Sequence, residues 1–140
     1  MPLVSITRLR VRSFRYLPAF FVYSLRAAYQ AKSASGNLAV SLLRDSNFTF
    51  WTRTLWTEER AMRDFMVSGV HRSLMPRLPQ WCDEAAVAHW TQESREPPSW
   101  QEVIGTCKKD GRRSPVEHPS EAHLRFEIPP PRPMGETRLK

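Results

Sequence analysis

Cysteine is scarce in this chain: among 140 residues only Cys82 and Cys107 occur, in different segments and in no CxxC or ligand-spaced pair. That excludes a disulfide-stapled scaffold and a thiolate metal centre, and leaves two reduced, structural thiols as the expectation. Glycine is scarce too. The five glycines form neither GxGxxG nor GxxxxGK, which removes phosphoryl transfer and dinucleotide redox chemistry from consideration. Long apolar runs are missing: the uncharged stretch Tyr16 to Leu25 is about half of a membrane span, so no span and no membrane partner are expected. The small residues at positions 31–36 imitate the end of a targeting peptide, but the alternation before them already reads as a folded strand. The expectation is a cytoplasmic protein. Four histidines, His71, His89, His118 and His123, form no zinc pattern, so no metal is expected. No serine has a nucleophile-elbow context, which leaves hydrolase chemistry unsupported.

Acidic residues are absent from the first 44 positions, where Arg8, Arg10, Arg12, Arg15, Arg26, Lys32 and Arg44 lie. These seven account for the whole net charge of +7. Such a basic edge can steer an anionic ligand, yet none of the usual nucleic-acid motifs accompanies it and no nucleic-acid partner is expected.

What is present is a dense succession of elements. Leu3 to Val11 alternates with a period of two and reads as a strand. Ser13 can cap a helix whose early turn tolerates Pro18, with Leu17, Phe20, Phe21, Ser24, Leu25, Ala28 and Ala31 on one stripe and Gly36 at its end. Leu38 to Leu43, a polar turn at positions 44–47 and Phe48 to Trp56 read as a hairpin. Thr57 is the expected N-cap of a helix carrying Ala61, Met62, Phe65 and Met66, with Glu58 and Glu59 favoured in its first turn. Gly69 breaks that helix before a second piece holding Val70, Leu74 and Leu78. Ala85 to Thr91 is the last strand.

The order βαββαβ defines an α+β, ferredoxin-like subunit over residues 1–92, with both helices on one sheet face. Phe48, Phe50 and Trp56 point to one face of the third strand and Trp51 and Leu55 to the other. Neither face suits water, and a second copy of the chain is the expected cover, giving a homodimer.

Residues 93–140 hold eight of the twelve prolines and read as a Pro-rich C-terminal extension. Ser99 to Glu102 has the capping-box form, with Trp100, Val103 and Ile104 as the apolar stripe of a helix ending at Gly111. Leu124, Phe126 and Ile128 alternate as a short strand, and the last residues are expected to be disordered. Helix and strand are expected to pack on the domain or on the partner subunit.

Trp51-Thr52-x-Thr54-Leu55-Trp56, followed by Glu59-x-x-Met62-x-x-Phe65-Met66-x-Ser68-Gly69-x-His71-Arg72-x-x-Met75-Pro76, resembles the strand-to-helix signature of an uncharacterised bacterial family. That family is itself similar to the antibiotic-biosynthesis-monooxygenase-like dimeric α/β barrels. The resemblance covers roughly Pro2 to Gln92. It implies a barrel-like dimer with a pocket in each subunit between sheet and helices. Its relatives range from cofactor-independent oxygenases acting on aromatic substrates, through haem-degrading enzymes, to members with no known reaction, so that a monooxygenase-like activity on a small aromatic substrate is one expectation. Haem-degrading relatives are similar in using a first-strand Asn and a second-helix His. This chain has Ser5 or Thr7 at the first of these and Met75 near the second, so haem is disfavoured and no cofactor is expected.

His71, near a helix break, is the leading candidate for a general base or ligand; the alternative is a local cap beside Gly69. Arg53 interrupts an apolar face and can hold an oxyanion or pair with Asp45 or Glu59. Trp51, Phe65, His89 and Trp90 are the candidate substrate-binding residues, against a core role for each. Two functions stay open: an aromatic oxygenase with His71 as base and Arg53 stabilising the anion, or a non-catalytic dimer that binds a small ligand or a partner protein. Convergence of His71 and Arg53 on one cavity discriminates between them.

Overall fold

A computed structural model describes all 140 residues. The first strand, β1 (Leu3–Val11), runs through a single 3-10 turn (Phe14–Tyr16) into α1 (Leu17–Ser33). Ser13 caps that turn, its Oγ accepting from the Arg15 amide, and Pro18 occupies the first turn of α1, where its missing N–H costs nothing. Then follow β2 (Asn37–Asp45), β3 (Thr49–Trp56), α2 (Glu59–Met66), α3 (Gly69–Leu74), α4 (Leu78–Trp81) and β4 (Cys82–Thr91). The extension adds α5 (Trp100–Asp110), β5 (Arg112–Arg113), α6 (Glu121–Arg125) and β6 (Gly135–Arg138).

The strands form one six-stranded sheet in the order β5-β4-β1-β3-β2-β6, with every neighbouring pair antiparallel. β1 lies at its centre, Ile6 pairing with Arg53 on one side and Ala88 on the other. Period-two alternation sends Leu3, Leu9 and Val11 toward α1 to α4, where they pack with Phe20, Ala28, Trp56, Met62, Phe65 and Leu74. The other side of the pleat carries Val4, Ile6, Leu43, Trp51 and Leu55.

That second face is covered by the chain's own extension. Val103, Ile104 and Cys107 of α5 are buried in one cluster with Val4, Ile6, Trp51 and Leu55, and Trp100, Phe126 and Ile128 pack around it. The homodimer expectation rested on this face lacking a cover; α5 removes that reason. The Ser99 cap is present, its Oγ accepting from the Glu102 amide at 3.1 Å.

Three local expectations are corrected. Thr57 does not cap α2: its amide donates to Gly36 O at 2.8 Å, which keeps it extended with β3, and Glu58 takes the N-cap position without a side-chain bond. Residues 124–128 are not a strand: Ser120 Oγ accepts from the His123 amide and starts α6, which ends at left-handed Phe126 (φ 51°). In so short a stretch a local cap outweighs a two-residue alternation. The final residues are ordered, because β2 offers an open edge on which Leu43 pairs with Glu136 and Ser41 with Arg138.

Candidate functional site

The expected site residues divide between the two faces of the sheet. Arg53, Trp51 and Trp90 lie on the α5 face, and Phe65, His71 and His89 on the helical face.

On the α5 face Arg53 is 5% exposed. Its Nη1 donates to Pro98 O (2.8 Å) and its Nη2 to Ser41 Oγ (3.0 Å) and Glu136 (3.1 Å). The guanidinium stacks at 4.5 Å on Trp100, whose indole N–H donates to the same Glu136 carboxylate at 2.7 Å. Neither Asp45 nor Glu59 is its partner. Asp45 instead accepts from the Trp51 indole at 3.1 Å and from the Arg132 amide at 2.7 Å. Trp51 is 1% exposed and Trp90 packs partly buried against the same cluster. These side chains hold the extension to the sheet.

Part of the basic first third is neutralised on this face as well. Arg8 meets Glu84 at 2.8 Å and Arg10 meets Asp83 at 2.6 Å, and Ser120 Oγ donates to the second Glu84 oxygen at 2.8 Å.

On the helical face the ring of His71 lies 4.7 Å from Phe65, which lies 5.2 Å from Trp56. His71 Nδ1 is 3.0 Å from the Met66 carbonyl, a contact that requires a proton on Nδ1 and leaves a lone pair on Nε2. Burial pushes the His71 pKa below the ordinary histidine value, and the bond to Met66 offsets this only in part. The imidazole is therefore neutral at pH 7, oriented, and able to accept a proton or ligate a metal through Nε2.

Gln30 of α1 fixes the backbone around it. Its Oε1 accepts from the His71 amide at 3.0 Å, while its Nε2 donates to Ser68 O at 2.9 Å. Gly69 has φ +57°, and a Cβ there would stand 3.0 Å from the Gln30 amide, so the break permits that approach. The sequence carries no signal for Gln30, since its partners lie 38 and 41 positions away.

Two grooves open on the helical layer. One of about 510 Å³ is lined by Met66, Val67, Arg72, Met75 and Pro76. The other, about 940 Å³, runs between α1 and α2 past Arg26, Tyr29, Gln30, Gly36, Arg60, Asp64 and Phe65. Arg53 lines neither. His71 is adjacent to both through Arg72, Val70 and Gln30 without itself lining them. His89 is exposed at the end of β4, opposite Ser5 in the register.

No protein-family model matches the chain, and no curated protein does. Solved structures do match, and they show the fold: a ferredoxin-like α+β core similar to that of antibiotic-biosynthesis-monooxygenase-like proteins. SnoaB, a cofactor-independent oxygenase from Streptomyces nogalater, superposes with TM-score 0.55 at 18% identity, over 66% of this chain and 94% of its own. A Nitrosomonas europaea protein named as a candidate antibiotic biosynthesis monooxygenase gives 0.59 at 13%, over 66% and 90%. Rv0793 from Mycobacterium tuberculosis gives 0.60 at 12%, over 67% and 97%. Two thirds of this chain, the length of residues 1–92, thus spans nearly the whole of each neighbour. The remaining third has almost no counterpart in them.

Proposed function

We propose that the protein is a monooxygenase-like enzyme acting on a small electron-rich aromatic without a cofactor, with His71 as its base. The observation that supports this most is the neutral imidazole of His71, held through Nδ1 on a carbonyl, backed by Phe65 and carrying a free Nε2. Fold similarity to a cofactor-independent oxygenase adds to it. On this reading Nε2 takes the proton of a phenolic hydroxyl, and the phenolate passes an electron to dioxygen. Recombination at an open ring carbon gives a hydroperoxide that loses water, so that a phenol and dioxygen become a quinone and water. Phe65 is the wall against which the ring lies, and His89 stands at the far end of the same face.

Arg53, Trp51 and Trp90 have no part in this chemistry, because they serve the opposite face. The cations beside His71 are instead those lining the two grooves, Arg72 in one and Arg26 and Arg60 in the other. Because His71 and Arg53 do not converge on one cavity, a second reading stands beside the first, a non-catalytic protein that binds a small ligand or a partner.

Oxygen uptake with a panel of hydroquinones and electron-rich phenols separates the two. The oxygenase reading expects uptake that falls about 100-fold or more in His71→Ala and in His71→Asn, which keeps a polar group without a basic nitrogen. Uptake unchanged in both variants removes His71, and binding of the phenols without uptake supports the second reading.

A further inference from the structure

The outward side of the helical layer is apolar and basic, the reverse of what a solvent-facing helix requires. α1 buries Phe20, Ala27, Ala28 and Ala31 against the sheet, yet Phe21, Val22, Leu25 and Tyr29 face solvent at helical spacing, Val22 54% and Tyr29 55% exposed. Phe14, just before the helix, is 74% exposed. Val67 and Met75 continue the patch around α3, which packs on α1.

The charged residues of α1 and α3 themselves are of one sign. Arg15, Arg26 and Lys32 are exposed on the α1 side, and Arg72 and Arg77 on the α3 side. No carboxylate occurs from Met1 to Arg44 or from Phe65 to Cys82. Glu58 and Asp64 of the α2 side line the same groove as Arg26 and Arg60. Arg8 and Arg10 are spent on β4 carboxylates and Arg63 of α2 on Glu59; Arg15, Arg26, Lys32, Arg72 and Arg77 form no ion pair with a carboxylate.

We propose that this surface docks the protein on an anionic lipid bilayer. A bilayer with acidic headgroups takes both components at once: aliphatic and aromatic side chains enter the acyl boundary while arginine and lysine meet headgroup charge. A second copy brings the same cations against themselves, and a soluble polyanion offers nothing to Val22 and Leu25. The docking is peripheral, since no helix is long and apolar enough to cross a membrane. It does not depend on the oxygenase reading.

The test is flotation of the full chain with vesicles of phosphatidylcholine alone and with about 30% phosphatidylglycerol, in low and high salt. Partitioning onto the acidic vesicles at least tenfold above the neutral ones, weakened by salt, is expected. Arg26→Ala with Lys32→Ala should reduce it roughly 25-fold, about fivefold per cation, and Val22→Asp with Leu25→Asp should abolish it. All four positions are exposed, so circular dichroism is expected to show an unchanged fold. Equal partitioning onto both vesicle types overturns the proposal. So does no partitioning onto either, or a lipid-free dimer that Val22→Asp with Leu25→Asp dissociates.

Discussion

Arg53 of β3 and Glu136 of β6 meet at 3.1 Å across 83 positions of chain. The bond ties the last strand to the interior of the sheet and places α5 between them through Trp100 and Pro98. Removing the guanidinium leaves Ser41, Pro98 O and Glu136 without their donor. Arg53→Ala should therefore lower stability by about 2–4 kcal/mol, measured by urea denaturation. Glu136→Gln should cost under about 1 kcal/mol, since that carboxylate is partly solvated. Oxygen uptake per folded molecule should be unchanged in both.

α5 fills the face on which a partner's sheet was expected. Sedimentation of the full chain should give a single species of 16.3 kDa up to high micromolar concentration. Val103 is fully buried in that cluster, so Val103→Asp should weaken the fold by about 3 kcal/mol or more and raise exchange of the α5 amides. A wild-type dimer with protected α5 amides on both subunits contradicts a self-contained subunit.

His71 is lowered below its unfolded value, so near pH 6.5 the unfolded chain binds more protons there than the folded one. The preference for the folded state is complete above that pH and is lost as pH falls through and below it. The difference in urea midpoint between the wild type and His71→Asn should therefore change between pH 7.5 and pH 5, in favour of the variant at the acid end.

His123 behaves alike on the other side of the molecule. Its Nδ1 accepts from the Ala85 amide at 3.3 Å, which requires an unprotonated Nδ1. Burial, and then the Arg113 charge, hold its pKa down. Acidification should break that bond and free α6 from β4. Faster exchange of the Ala85 amide at pH 5 than the intrinsic pH effect allows is the expected result, and it should be absent in His123→Gln.

Gly36 has φ +83°, and a Cβ there would stand 2.6 Å from the Ala61 Cβ and 2.8 Å from Thr57 Oγ1. Left-handed strain and overlap act together, so Gly36→Ala should cost about 2–4 kcal/mol. A thermal scan should show the midpoint falling by roughly 6–15 °C.

The first 92 residues were legible because their information is local. Alternation in Leu3–Val11, the polar turn after β2 and the break at Gly69 each lie within a few positions, and the βαββαβ order follows from them. Ser99 and Glu102 announced α5 by the same local rule. Leu124 to Ile128 misled, because two competing local signals overlapped and Ser120 lay just outside the alternation.

The candidate site was half legible. His71 was recognisable beside its helix break, but Gln30, which orients its backbone, was not. Arg53 was recognisable as an intruder on an apolar face, but its partners at 98, 100 and 136 were not. The sequence by itself determined the elements of the core, their order and the two-sided burial of β3, all set by neighbours within a turn or a strand. Which cover the second face received, and that Arg53 and His71 would lie on opposite sides of the sheet, only the tertiary structure decided. The first depends on where a 48-residue extension returns to the sheet, and the interactions that fix that return act between positions 45 to 87 apart; the second depends on which face of the sheet the helices cover.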